Sequence, residues 1–304
     1  MKEPTMRNSQ TWHPAHIRNH RNLSPTVREF EIRPEGGVKP WTVGSHLKLR
    51  VLVDGREETR SYSLVGLHDP EVYRIAVKRA DPSRGGSRYL WSLEAGAELL
   101  IGEPNNHFEL AFNAPQFLLV AGGIGITPLV GMAQMLSARG ADVRMRYAAR
   151  SASELVMNDV LQQCLSDRLQ TYCSDAGQRM NLDTEIAALA PKAQMLVCGP
   201  IALLDAAREA WSRAGRAPAD LRFETFGNSG HHEVQPFWVE LPRHHLRIEV
   251  PADRSLLDVL CEHGIDTLAD CRRGECGLCT VDVISVQGRI DHRDVFMSER
   301  EQRE

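Results

Sequence analysis

The segment "CRRGECGLCT", residues 271–280, places three thiols at Cys271, Cys276 and Cys279. The C-x4-C-x2-C spacing is that of a loop wrapped round a plant-type [2Fe-2S] cluster, which takes four thiolates. Gly274 and Gly277 permit the tight backbone that turns N–H groups toward the sulfides. Zinc is the competing metal, but glycines between cysteines at this spacing make a poor zinc ribbon. No further cysteine follows between Cys279 and Glu304.

Two other clusters carry binding chemistry. In "VAGGIGITP" a buried-looking strand runs into a helix through Gly122, Gly123 and Gly125, a turn that lets a pyrophosphate approach the backbone. Thr127 is placed to cap that helix and Pro128 to open it. The loop lacks the Lys-Ser/Thr pair of a nucleoside triphosphatase. "VCGP", Val197 to Pro200, ends a later strand, where Cys198 taken alone reads as a small buried hydrophobe. Upstream, "TRSYSL" puts Arg60, Ser61, Tyr62 and Ser63 at a strand end, and "GGSRYLW" puts Gly85, Gly86 and Ser87 at a helix start. Such a helix start attracts phosphate through its free N–H groups and dipole, and a guanidinium adds a clamp.

The elements that must position these groups are written in three styles. Up to about residue 112 the pattern is strand-like: "HLKLRVLVDG" alternates Leu47, Leu49, Val51 and Val53 before an Asp-Gly turn, and "YRIAVKR" repeats the alternation. This predicts an antiparallel barrel or sandwich. From about 114, continuous apolar strands ("QFLLVAGG", "QMLVCGP") alternate with helical stretches such as "PIALLDAAREAWSRAG", which predicts an open parallel sheet. "GNSGHHEVQPF" reads as a linker. A hairpin pattern and a short helix, with Ser255 as N-cap and Gly264 at its end, precede the cysteine loop.

Composition bounds the function. The 304 residues suffice for two or three domains, and a formal charge of −4 gives no reason to expect nucleic acid as partner. The N-terminus has no apolar signal core and no run approaches a membrane span. Seven cysteines, three of them clustered, suit metal binding in a reducing cytoplasm better than a disulfide framework.

"RSYSL", "IAVKR" and "GGS", in this order after a strand-rich segment, resemble the flavin-binding signature of the ferredoxin-NADP reductase superfamily, closest to its phthalate dioxygenase reductase branch. The resemblance extends over nearly the whole chain, including "GRIDHRDVFMSE". It implies an antiparallel β-barrel flavin domain (1–113), an α/β parallel-sheet nicotinamide domain (114–228) and a C-terminal β-grasp plant-type ferredoxin domain (229–304).

In that family Arg60 and Ser87, with Gly85 and Gly86, hold the flavin phosphate. Ser61, Tyr62 and Ser63 line the ring, Ala76, Val77 and Lys78 the ribityl side, and Thr127 lies near. FMN is expected, because no insertion after Ser87 offers room for an adenylate. Gly122, Gly123, Gly125, Ile126, Thr127, Arg150, Cys198, Gly199 and Pro200 would take NAD, with Ser63, Cys198 and Glu224 shaping the hydride-transfer site. Phe226 would shield the flavin until nicotinamide displaces it. Arg150 and Ser151 leave NADPH open, and the branch favours NADH.

The implied activity is hydride uptake from NADH by FMN and one-electron delivery through the cluster to a Rieske-type aromatic oxygenase or demethylase component. The protein would be cytoplasmic and monomeric. The alternatives are a free flavin reductase or diaphorase with an idle iron-sulfur domain, and a redox sensor, for which no output segment is found. The resemblance also places the fourth cluster cysteine about 30 residues after Cys279, about five beyond Glu304, so the sequence is expected to stop just short of it.

Overall fold

The computed structural model describes residues 11–79, 85–226, 235–252, 254–269, 274, 277–292, 294, 296–297 and 301. The linker stretch 227–234 and Cys271 and Cys276 lie outside the described residues. The chain forms two compact units, Met1–Glu224 and Thr225–Glu304.

The first unit opens with strands β1 (His13–Asn22), β2 (Val27–Pro34), β3 (Ser45–Val53), β4 (Arg56–Ser63) and β5 (Tyr73–Lys78). Helix α1 (Gly86–Trp91) and strands β6 (Glu98–Ile101) and β7 (Asn105–Asn106) follow. The strands lie in the order β4-β3-β6-β1-β2-β5, with β7 on β3. A bridge from Leu64 to Ile75 ties the two ends together, curling the sheet into a barrel. The alternation read from the sequence is realised: Leu47, Leu49, Val51, Tyr73, Ile75 and Val77 fill the interior beside Ile17, Phe30 and Ile32. Asp54 and Gly55 make the β3–β4 turn with positive φ of 49° and 78°, as an Asp-Gly hairpin demands.

A five-stranded sheet follows, built from β8 (Phe117–Gly122), β9 (Val143–Ala149), β10 (Leu169–Cys173), β11 (Gln194–Gly199) and β12 (Leu221–Thr225) in the order β10-β9-β8-β11-β12. The β8–β9, β9–β10 and β8–β11 pairs are parallel. Helices α2 (Ile126–Ala138), α3 (Asn158–Leu165), α4 (Leu182–Ala187) and α5 (Ile201–Arg213) cover it. Every residue of β8 is buried, and its side chains divide by parity. Phe117, Leu119 and Ala121 join α2 and α3, whereas Leu118 and Val120 join α4 and α5.

The α2 side continues into the barrel. Val27, Val43, Val65 and Ala76 share one core with Ile126, Leu129, Val130 and Met132. The approach is close: a Cβ on Gly131 would lie 2.0 Å from the carbonyl oxygen of Gly66. Barrel and parallel sheet are therefore one packed body at this seam.

The second unit contains hairpin β13 (Phe237–Leu241) and β14 (Leu246–Val250) and helix α6 (Leu256–Glu262). Ile248, Val250, Val259 and Leu260 form its small core. The helix is capped as the sequence predicts: Ser255 Oγ accepts from the Asp258 N–H, and Gly264 follows the last turn with φ 72°.

Candidate functional site

At the barrel end of the site, Arg60 sits on β4 opposite Leu49, and its stem lies against the first turn of α1. A Cβ on Gly86 would come within 2.9 Å of Arg60 Cγ, so any side chain here would push the arginine from its place. Gly85 precedes the helix with φ 87°, and a Cβ there would meet Val53 Cγ1 at 2.4 Å. The barrel thus brings the Arg60 side chain beside the Gly85-Gly86-Ser87 turn; its guanidinium is ion-paired with Glu58 and donates to the Thr59 carbonyl at 3.0 Å, and exchanging that carboxylate for a phosphate monoester suits the chemistry of this cradle.

The other barrel residues divide. The Val77 side chain belongs to the barrel core, and its carbonyl accepts from Trp91 Nε1 at 3.1 Å, while Ala76 faces the seam. Lys78 Nζ is 3.1 Å from Glu154 Oε2 in the parallel-sheet half, a pairing that sequence reasoning did not find. Tyr62 is half-buried and packs on the barrel core. The indole of Trp91 is covered by two guanidiniums, Arg28 at 4.6 Å and Arg79 at 4.9 Å from its centroid.

At the parallel sheet, chain order and spatial order diverge between β8 and β11. Nucleotides bind at such a switch point, beyond the carboxyl ends of the strands. The two turns that leave those ends meet tightly. A Cβ on Gly122 would lie 2.7 Å from Pro200 Cδ, one on Gly199 3.0 Å from Gly122 Cα, and one on Gly125 2.2 Å from the Cys198 carbonyl oxygen. The glycines are required by this contact, and the paired glycine turns at the carboxyl ends of adjacent parallel strands suit the backbone approach of a pyrophosphate.

One detail differs from expectation. Helix α2 starts at Ile126, directly after a 3-10 turn at Gly123–Gly125, so Gly125 holds the cap position and Thr127 does not. Thr127 is buried and its hydroxyl donates to the Ile124 carbonyl at 3.0 Å. Pro128 is the third helical residue, where a missing N–H still costs nothing.

Between the two halves, Ser63 at the end of β4 donates its hydroxyl to Glu224 Oε2 on β12 at 3.1 Å. Ser63 is 4% and Glu224 3% exposed, and Cys198 is fully buried. A buried carboxylate at the junction of the two sheets is costly unless it is used or well bonded. Arg150 lies exposed just past β9, its carbonyl accepting from the Asp175 N–H at 2.9 Å. Phe226, in the second unit, is 37% exposed.

Of the cysteine loop, Gly274, Gly277 and Cys279 are described. Both glycines have positive φ, 75° and 73°. A Cβ on Gly277 would collide with the Phe296 ring at 2.5 Å, and one on Gly274 with Asp294 Cα at 2.9 Å. The loop needs glycine at both places on two independent grounds, and its donor set is thiolate. These features fit an iron-sulfur cluster.

A phosphate cradle on a barrel, a nucleotide crevice on a parallel sheet and a thiolate loop define an electron-transfer flavoprotein. Known proteins agree. The family profile of the 2Fe-2S iron-sulfur cluster binding domain matches residues 240–304, and that of the oxidoreductase NAD-binding domain matches residues 119–209. The chain is 38% identical to the heme-dependent oxidative N-demethylase beta subunit of Ectopseudomonas mendocina (strain ymp), over 92% of this chain and 89% of that protein. It is 36% identical to the phthalate 4,5-dioxygenase oxygenase reductase subunit of Pseudomonas putida, over 92% and 87%. The solved structure of phthalate dioxygenase reductase, described as a modular structure for electron transfer from pyridine nucleotides to [2Fe-2S], covers 96% of this chain and 92% of its own. There the identity is 29% and the TM-score 0.77.

The chain belongs to the phthalate dioxygenase reductase family. It is an oxidoreductase with flavin (FMN), nicotinamide dinucleotide and [2Fe-2S] as its redox groups. No described helix is long and apolar enough to cross a membrane.

Proposed function

We propose that this protein is the NADH-dependent reductase of a Rieske-type aromatic oxygenase or demethylase, with domains at 1–113, 114–228 and 229–304. The observation that carries the reading is the buried Ser63–Glu224 hydrogen bond, which joins the end of the barrel to the last strand of the parallel sheet. When bound, FMN and the cluster convert a two-electron donor into single-electron deliveries.

The protein's own task is placement. Arg60, Ser87 and the Gly85-Gly86 turn hold the flavin phosphate, and Ser61, Tyr62 and Ser63 line the ring. The Gly122–Gly125 and Cys198–Pro200 turns take the pyrophosphate, while Ser63, Cys198 and Glu224 exclude water and orient nicotinamide. Cys271, Cys276 and Cys279 supply thiolates. No acid-base residue is needed for hydride transfer, and none is assigned.

We assign a cytoplasmic, monomeric protein, since clustered metal-binding thiols persist in a reducing compartment. The relative named as a phthalate 4,5-dioxygenase oxygenase reductase subunit supports an oxygenase as the electron acceptor, and we assign the Rieske type from the sequence resemblance. A second reading has a specific support: the 38% identical relative is named for a heme-dependent demethylase, which makes a haem protein the other acceptor to test.

Two measurements test the reading. NADH should support ferricyanide reduction with a higher kcat/KM than NADPH, and equal or reversed preference would show that Arg150 and Ser151 bind a 2′-phosphate. Arg60→Ala should release FMN, raising its dissociation constant about a hundredfold, as loss of a bidentate charged contact does. Unchanged FMN retention in that variant would move the phosphate site elsewhere.

A further inference from the structure

The segment after β9 does two things at once. Its first residues, Arg150 and Ser151, follow directly on the carboxyl end of β9, the edge of a parallel sheet at which dinucleotides bind. Its last, Glu154, closes a 3-10 turn, with its N–H bonded to the Ser151 carbonyl at 3.1 Å. The Glu154 carboxylate then reaches across the seam to the barrel. Oε2 is 3.1 Å from Lys78 Nζ on β5, and Oε1 accepts from Thr26 Oγ1 at 3.4 Å, just before β2. The Glu154 carbonyl accepts from the hydroxyl of the buried Tyr147 at 3.3 Å.

The pair is partly sheltered, with Glu154 at 19% and Lys78 at 38% side-chain exposure, so water screens it less than a fully exposed ion pair. The surrounding seam is apolar (Val27 and Ala76 against α2), and Val156, with Leu155 and Met157 beside it, anchors the loop to the parallel-sheet side of that core. The charged tie adds a direct polar link from the turn to the barrel. Position matters here because one dinucleotide must span from the 150–154 turn to the flavin, and small misplacements cost rate and affinity steeply.

We propose that Glu154 is a positioning residue for the nicotinamide dinucleotide, tying the turn that takes its adenosine end to Lys78 and Thr26 of the flavin barrel. The inference rests on the assignment of Arg150 to the dinucleotide. It also gives Lys78 a role beyond the ribityl contact: it anchors the neighbouring half of the unit.

The test separates the two ends of the dinucleotide. ADP-ribose binding, measured by calorimetry on the full chain, should weaken about fivefold in Glu154→Gln, the scale of one lost coupling between contacting residues. The KM for NADH should rise to match with kcat nearly unchanged. FMN content and kcat/KM for reduced nicotinamide mononucleotide, which lacks the adenosine half, should stay at wild-type values. Glu154→Asp, which keeps the charge but withdraws it by one methylene, should fall between the two.

An unchanged ADP-ribose affinity in Glu154→Gln overturns the proposal, and so does an equal loss with the mononucleotide, which would mark general loosening of the fold. Should the wild-type chain bind no ADP-ribose at all, the dinucleotide assignment itself fails, and this inference with it.

Discussion

A Glu224→Ala substitution is expected to slow reduction of the bound flavin by NADH about a hundredfold, the scale of misplacement at a reacting centre. FMN content should remain at the wild-type level, because the phosphate is assigned to Arg60 and the α1 turn, elsewhere on the barrel. The argument starts from burial. Glu224 is 3% exposed and accepts the Ser63 hydroxyl at 3.1 Å, so the two side chains fix each other where barrel and parallel sheet meet. Removing the carboxylate opens a hole and takes away the acceptor that orients Ser63. Glu224→Gln keeps an acceptor of the same shape, so its loss should be about tenfold, the value of a charged over a neutral hydrogen bond at a preorganised site. Stopped-flow flavin absorbance measures both rates. A variant that loses FMN in proportion to its rate would show that Glu224 serves the fold and not the reaction centre.

That pairing illustrates what the sequence conveys and what it conceals. Ser63 and Glu224 each stand out within a local motif, yet 161 residues separate them, and nothing in either motif says that one donates to the other. The barrel strands are legible because Leu47, Leu49, Val51 and Val53 alternate with a period of two, and β8 because its six residues are all apolar or glycine. The start of α2 is less so. Thr127-Pro128 looks like a cap and first turn, but the 3-10 turn at Gly123–Gly125 runs straight into the helix and shifts the start to Ile126. The Lys78–Glu154 tie is hidden for another reason. Lys78 reads as part of a flavin motif and Glu154 as the tail of a polar loop, and only the apolar seam between the two sheets brings them together.

Gly125→Ala should cost the first unit about 3 kcal/mol, the upper range for overpacking against a rigid neighbour. In melting temperature this is a drop of about 6–12 °C for a unit of this size. The backbone of Gly125 is ordinary, with φ −61°, so no left-handed strain is involved. The cost is steric alone. A Cβ there would stand 2.2 Å from the Cys198 oxygen, 2.5 Å from its carbonyl carbon and 2.7 Å from the Gly199 nitrogen. All three are backbone atoms, so no side chain can rotate away, and either α2 or the end of β11 must retreat. Retreat of α2 would disturb Leu129, Val130 and Met132, which hold the barrel seam, and retreat of β11 would open the crevice between Gly122 and Pro200. Nucleotide binding should therefore fall along with stability. Gly36→Ala is the matched control: a Cβ there meets nothing within 4 Å and its φ is not positive, so its melting temperature should stay within about 2 °C of wild type, as for neutral surface changes. Equal melting curves for Gly125→Ala and Gly36→Ala would mean that the two nucleotide turns are not in the tight contact on which the dinucleotide assignment depends.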